Sequence, residues 1–223
     1  MTKKAKAETK KTLSTHIVMI VDRSGSMTSV ADGVIEGING FIAEQKKIPG
    51  SCKLTLIQFD TIDPCQILIN NKELSEVPDN FLTKEVYVPR GGTPLLDVIG
   101  KAINNTDGKL ALAETKPDRV IFVIHTDGQE NSSQQYTIDT IRGLIKARTD
   151  NDKWSFVFLG EGLDAINSAH SLGLSSADTL AMVKTANAYG VAYRSTSNCV
   201  ANLRCSVDAK VEFSEADRKD AMK

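Results

Sequence analysis

One stretch constrains this chain more than any other: Ile17–Met27, reading IVMIVDRSGSM. Ile17, Val18, Ile20 and Val21 run without a polar interruption and stop at Asp22. An apolar run that does not alternate is a strand covered on both faces, as in a parallel sheet. A tight turn then projects Asp22, Ser24 and Ser26 from the strand's C-terminal end. In open α/β sheets, ligands bind outside that end. A carboxylate and two hydroxyls are hard oxygen donors, suited to Mg²⁺ or Mn²⁺.

The rest of the chain repeats the pattern of strand and helix. Val30, Val34, Ile38, Phe41 and Ile42 follow helical spacing, predicting a helix from about Val30 to Lys47. Gly33, Gly37 and Gly40 share a face of it and imply a close approach to the sheet. Lys53–Asp60 and Cys65–Ile69 alternate around Asp63-Pro64, which reads as a hairpin with an antiparallel edge strand. A short helical piece is expected at Leu74–Leu82 and an extended run at Val86–Val88. The loop Arg90–Pro94 leads into a helix with Pro94 at its first position and Leu96, Ile99 and Ile103 on one face. Asn104–Lys116 extends or follows that helix.

Arg119–Ile124 is a second fully buried strand, ending in His125-Thr126-Asp127-Gly128. A helix through Ile138, Ile141, Leu144 and Ile145, and a strand Trp154–Leu159 stopped by Gly160, come next. Then follow a helix Leu163–Leu172, a strand Thr179–Val183 and a final helix Asn187–Arg204. Alternation of this kind predicts an α/β fold: a doubly wound, Rossmann-like three-layer sandwich. Its sheet has six strands, mostly parallel, with one antiparallel at the edge. The expected limits are a flexible basic tail at 1–14, one domain at 15–206 and a charged, frayed tail at 207–223.

At 223 residues the chain can bury one sizeable core. A net charge of −1 gives no case for a nucleic-acid or membrane surface. No apolar run approaches the ~20 residues that span a bilayer. The basic start, MTKKAKAETKKT, lacks the apolar segment of a secretory signal. The expectation is therefore a cytoplasmic protein with Cys52, Cys65, Cys199 and Cys205 reduced, although Cys52 and Cys65 could meet across the hairpin.

Asp22, Ser24 and Ser26 end one buried strand, and Asp127 ends another. Thr93 follows two glycines in a third loop. This set resembles the von Willebrand factor type A family, or integrin I-like domain, with its metal-ion-dependent adhesion site. The family's D-x-S-x-S motif is matched by Asp22-Arg23-Ser24-Gly25-Ser26. Its later threonine is matched by Thr93 in GGTP, and its later aspartate by Asp127 in TDG. The resemblance covers roughly residues 14–204. It implies that Ser24 and Ser26 ligate the metal directly, that Thr93 and Asp127 do so directly or through water, and that Asp22 acts through water and the serines. It also implies a switch in which the final helix moves as the metal exchanges Asp127 for Thr93.

The chemistry points the same way. Mg²⁺ wants six oxygens and sheds water reluctantly. Two hydroxyls and one or two carboxylates leave it under-neutralised and partly hydrated, so a carboxylate of another molecule can replace a water. The leading expectation is a binding module rather than an enzyme: its partner is a protein presenting Asp or Glu, its metal Mg²⁺ or Mn²⁺. One alternative is a metal-dependent phosphate-ester hydrolase using Asp22. Another is a structural or assembly protein of a bacterium or phage.

Each residue also has a plainer reading. Ser24, Ser26 and Thr93 are good helix N-caps, and Asp127-Gly128 is a common turn pair. His125 and Trp154 suit the core. Glu130 and Asn131 either rim the site or, more simply, belong to a solvated loop, and Arg23 and Arg90 either attract an acidic partner or are exposed charges with no specific role.

Overall fold

The computed structural model describes residues 13–127 and 130–223. The expected tail at 1–14 falls, through residue 12, outside the described residues, as does the Gly128 turn position. Six strands form one sheet: β1 (Thr15–Asp22), β2 (Cys52–Phe59), β3 (Gln66–Glu73), β4 (Arg119–His125), β5 (Ser155–Glu161) and β6 (Thr179–Met182). Their spatial order is β3-β2-β1-β4-β5-β6. Only β3 runs antiparallel, paired with β2. This is the expected Rossmann-like sheet, and its order reverses between β1 and β4. At such a switch point the connections leave in opposite directions and open a crevice at the strands' C-terminal ends.

Side chains of β1 alternate between two cores. Ile17, Met19 and Val21 face α1 (Ala31–Lys46) and α5 (Ala186–Cys205), packing with Val34, Ile38, Phe41, Ala188 and Tyr193. Val18 and Ile20 face α2 (Leu95–Leu112), α3 (Ile138–Asp152) and α4 (Gly162–Ser171). Burial on both faces explains why β1 and β4 read as unbroken apolar runs. Trp154 lies in the second core, stacked on Phe122 at 5.3 Å.

Several local expectations change. Gly33 and Gly37 lie against α5 rather than the sheet: a Cβ on Gly37 would stand 2.3 Å from the Tyr193 ring, and one on Gly33 2.7 Å from the Ala186 carbonyl oxygen. Gly40 faces open space. Only a 3-10 turn at Leu74–Glu76 forms where a longer helical piece was expected, and Val86–Val88 forms no strand. Pro94 is the N-cap of α2, not its first residue. Gly160 lies within β5, which continues to Glu161.

All four cysteines are free. Cys52 opens β2, whereas Cys65 precedes β3 at the other end of the pair, where Gln58 meets Gln66. Five or more strand residues separate those ends, about 17 Å, far beyond disulfide reach. Residues 207–223 do not fray. They form α6 (Glu215–Ala221), begun by a Ser214–Asp217 capping box, and bury Val211, Phe213 and Ala221.

Candidate metal centre

Asp22 closes β1 and Asp127 lies two residues beyond β4, so the switch point brings them to one rim. The Asp22 carboxylate is fully buried and both its oxygens are bound. Oδ1 accepts the Ser24 backbone N–H at 2.7 Å, and Oδ2 accepts the Thr126 hydroxyl at 2.6 Å. The first bond folds the chain back immediately after the strand, and the Tyr87 hydroxyl holds the Asp22 carbonyl at 2.5 Å. The two serine Oγ atoms are then 3.0 Å apart, and Ser26 Oγ donates to Asp127 Oδ1 at 2.9 Å.

Neither serine is spent as a cap. Ser24 stands at the N-cap of the 3-10 turn Gly25–Val30 without a side-chain cap bond, and α2 likewise has none at its start. Thr93 is buried in the neighbouring loop. The Gly25 N–H donates to the Gly91 carbonyl at 3.0 Å, and the Thr93 N–H donates to Asn131 Oδ1 at 2.9 Å. Gly91 adopts a φ of +67°, where its missing Cβ spares the steric cost a side chain would meet. The Thr93 loop is thus tied to the serine turn on one side and to the segment after Asp127 on the other. Side-chain bonds join Ser24, Ser26 and Asp127 and anchor Asp22 to Thr126, while Thr93 enters through its backbone.

Two carboxylates share this rim. Burial, above all, pushes the Asp22 carboxyl up to about 6; the Thr126 and Ser24 bonds oppose this and the nearby Asp127 charge adds to it. A positive group already sits there: the Lys184 ammonium bonds Asp127 Oδ2 and lies 3.6 Å from Glu161. Burial would lower the Lys184 pKa, but Asp127 and Glu161 hold it above its ordinary value. Among the described residues no group of three or more His, Cys, Asp or Glu side chains gathers as a metal cage. The side chains gathered here are instead hydroxyls and carboxylates, all hard oxygens, a set that suits a hard cation better than a soft one.

Residues suggested as rim or partner groups do other work. Arg23 is buried and paired with Asp60, Nη2 to Oδ2 at 2.6 Å, and so is not an exposed lure. Arg90 donates to the same oxygen at 2.9 Å but is partly exposed. Glu130 accepts the Leu96 N–H at the start of α2 and two further backbone N–H groups, of Ser132 and Ser133, so it braces the loop. His125 is core: its Nδ1 lies 2.8 Å from the Tyr193 hydroxyl, and burial pushes its pKa down to about 4. The sequence reading missed Thr126, Tyr87 and Lys184. Thr126 stands beside a marked aspartate and could have been noted; Lys184 had no local signal.

No family model and no curated relative matches the chain. Solved structures do. The PilB minor pilin from Streptococcus sanguinis matches with a TM-score of 0.61 at 11% identity, over 86% of this chain and 62% of that one. The vWF domain of the type V pili tip protein Mfa5 from Porphyromonas gingivalis matches at 0.60 and 11%, over 85% and 96%. Proximal thread matrix protein 1 from the mussel byssus, with a zinc-occupied MIDAS motif, matches at 0.59 and 14%, over 85% and 46%. The fold is therefore von Willebrand factor A-like, and the chain spans less than two thirds of the pilin and of the byssus protein. The expected cytoplasmic location does not stand: similar structures include a minor pilin and a pilus tip protein, which belong to the cell surface and not to the cytoplasm.

Proposed function

We propose that this chain is a divalent-metal-dependent protein-binding domain in which an acidic side chain of the partner completes the coordination. The observation that supports it is the unbroken row of oxygens, Ser24 Oγ, Ser26 Oγ and Asp127 Oδ1, spaced at 3.0 and 2.9 Å along the switch-point rim. Ser24 and Ser26 are the neutral donors, and Thr93 and Asp127 are the donors of the later loops. Asp22 orients Ser24 through its backbone and adds charge from behind. When bound, Mg²⁺ or Mn²⁺ supplies a point of positive charge with exchangeable water positions, which a carboxylate can fill.

Binding is preferred to hydrolysis because Asp22 is fully buried and anchored on both oxygens, by the Ser24 N–H and the Thr126 hydroxyl, which sets it behind the serines as a support rather than at the surface as a nucleophile. Among the described residues the serine hydroxyls bond to each other and to Asp127, with no histidine hydrogen-bonded to either as a general base. Likeness to a minor pilin, a pilus tip domain and a thread matrix protein favours adhesion or assembly as the setting.

The test begins with Mn²⁺ titrated into the protein by calorimetry. Wild type binds, and Ser24→Ala and Ser26→Ala lose binding by tenfold or more, about 1.4 kcal/mol. The immobilised domain then captures a partner from source-cell lysate with Mg²⁺, releases it with EDTA, and fails to capture it as Ser24→Ala. A partner held equally with EDTA, and equally by Ser24→Ala, overturns the reading.

A further inference from the structure

We propose that Lys184 is a tethered cation that guards the centre, holding Asp127 until a divalent ion drives the ammonium across to Glu161. This rests on the metal-binding reading above. Lys184 lies between β6 and α5, and its backbone is pinned on both sides. The Val183 N–H donates to the Ala221 carbonyl at 3.0 Å, and the Thr185 hydroxyl accepts the Ala188 N–H at 3.2 Å as the N-cap of α5. Only the side chain is free to move. An ammonium on a four-carbon stem is a compact charge that swings easily.

Its two carboxylates differ. The Asp127 side chain is fully buried, whereas that of Glu161 is 37% exposed. Asp127 already accepts Ser26 on its other oxygen, so with Lys184 in place neither carboxylate oxygen faces a new ligand unopposed. Asp22 and Asp127 together carry two negative charges, and Lys184 cancels one. An incoming doubly charged ion then meets an Asp127 already neutralised by an ammonium that itself repels the ion. If the ammonium passes wholly to Glu161, which it already approaches at 3.6 Å, Asp127 is released to the ion and the ammonium keeps a carboxylate partner. Glu161 can receive it because β5 runs through Gly160 rather than stopping there.

The experiment is calorimetric titration of Mn²⁺ into wild type, Lys184→Gln, Lys184→Arg, Glu161→Gln and Ser24→Ala, with thermal unfolding of each in EDTA and in Mn²⁺. Lys184→Gln should bind roughly tenfold or more tightly than wild type, since a like charge a few ångströms away is gone. Without metal it should unfold at a lower temperature, because the buried Asp127 charge keeps only the Ser26 hydrogen bond and loses its cation, and Mn²⁺ should raise that temperature more than in wild type. Lys184→Arg should resemble wild type. Glu161→Gln should bind more weakly, the opposite direction, because the displaced ammonium loses its second site. Binding in Lys184→Gln alone would also support the guard, as a tighter one. Equal Mn²⁺ affinity in wild type and Lys184→Gln, with Ser24→Ala silent, overturns the guard and leaves the metal reading standing. No Mn²⁺ binding by wild type or Lys184→Gln overturns both.

Discussion

At the scale of single residues, the ion pair behind the serine turn matters as much as the turn. Arg23 and Asp60 are both almost fully buried, and Asp60 Oδ1 also accepts the Ile62 and Asp63 N–H groups at 2.6 and 2.7 Å. Burial would raise the Asp60 carboxyl, but the Asp63 N–H, Arg90 and the Arg23 charge hold it below the ordinary range. Breaking such a pair leaves a charge stranded in the interior, so Asp60→Ala should cost about 3–5 kcal/mol in urea unfolding. A loss under about 1 kcal/mol would show that water reaches Arg23. His16 makes a separate prediction at the opposite end of β1. Burial first, then Lys109 and Lys53, push its pKa down to about 4. The unfolded chain binds a proton near pH 6.5 and the folded chain does not, so stability should fall as pH drops from about 6.5 towards 4 and level off below. His16→Asn should flatten that part of a urea-midpoint profile. Asp22, Ser24 and Ser26 were legible because one turn holds them. Arg23 was misread because its partner lies 37 residues away, and Lys184 was invisible because Asp127 lies 57 residues away.

Among the elements, the contact of α1 with α5 shows why spacing alone misleads. Three glycines on one helix face read as a single device, yet only Gly33 and Gly37 meet α5, and Gly40 meets nothing within 4 Å. The helical pattern shows which residues share a face, but not which layer covers it, and α5 lies about 150 residues further on in the chain (Ala186–Cys205 against Ala31–Lys46). The two sites should respond with opposite signs. Gly40→Ala gains helix propensity with no clash and should stabilise by about 0.5–1 kcal/mol. Gly37→Ala gains the same propensity but drives a methyl into the Tyr193 ring, so a net loss of about 1–3 kcal/mol is expected. Tyr193 also holds His125 at 2.8 Å, so the Gly37 variant should disturb the core under β4 as well. Urea unfolding of the pair decides: stabilisation by both would mean that α1 and α5 separate at little cost.

Across the whole molecule, the three layers were legible because both cores print their periodicity on the strands and helices that line them. The closing segment was not. Residues 207–223 carry too few apolar positions to show a period, and α6 is only 7 residues long. Yet the segment is sewn to the sheet edge and to α5. Arg218 donates to the Thr179 carbonyl at 2.8 Å, Ser195 donates to Asp217 at 2.6 Å, and the Ala221 carbonyl accepts the Val183 N–H at 3.0 Å. Arg119, at the start of β4, donates to the carbonyls of Ser206, Val207 and Ala209 at 2.6–2.8 Å. Removing the segment would uncover the sites filled by Val211 and Phe213, at about 1.5–3 kcal/mol for each large side chain. It would also free the backbone next to Lys184. A chain ending at Ser206 should therefore lose about 3–6 kcal/mol in urea unfolding, a large share of the 5–15 kcal/mol usual for a domain. Its hydrogen exchange should rise first at β6 and the start of α5, before β1 and β4. Unchanged stability, or loosening that begins at β1, would mean that the segment lies on the domain without supporting it.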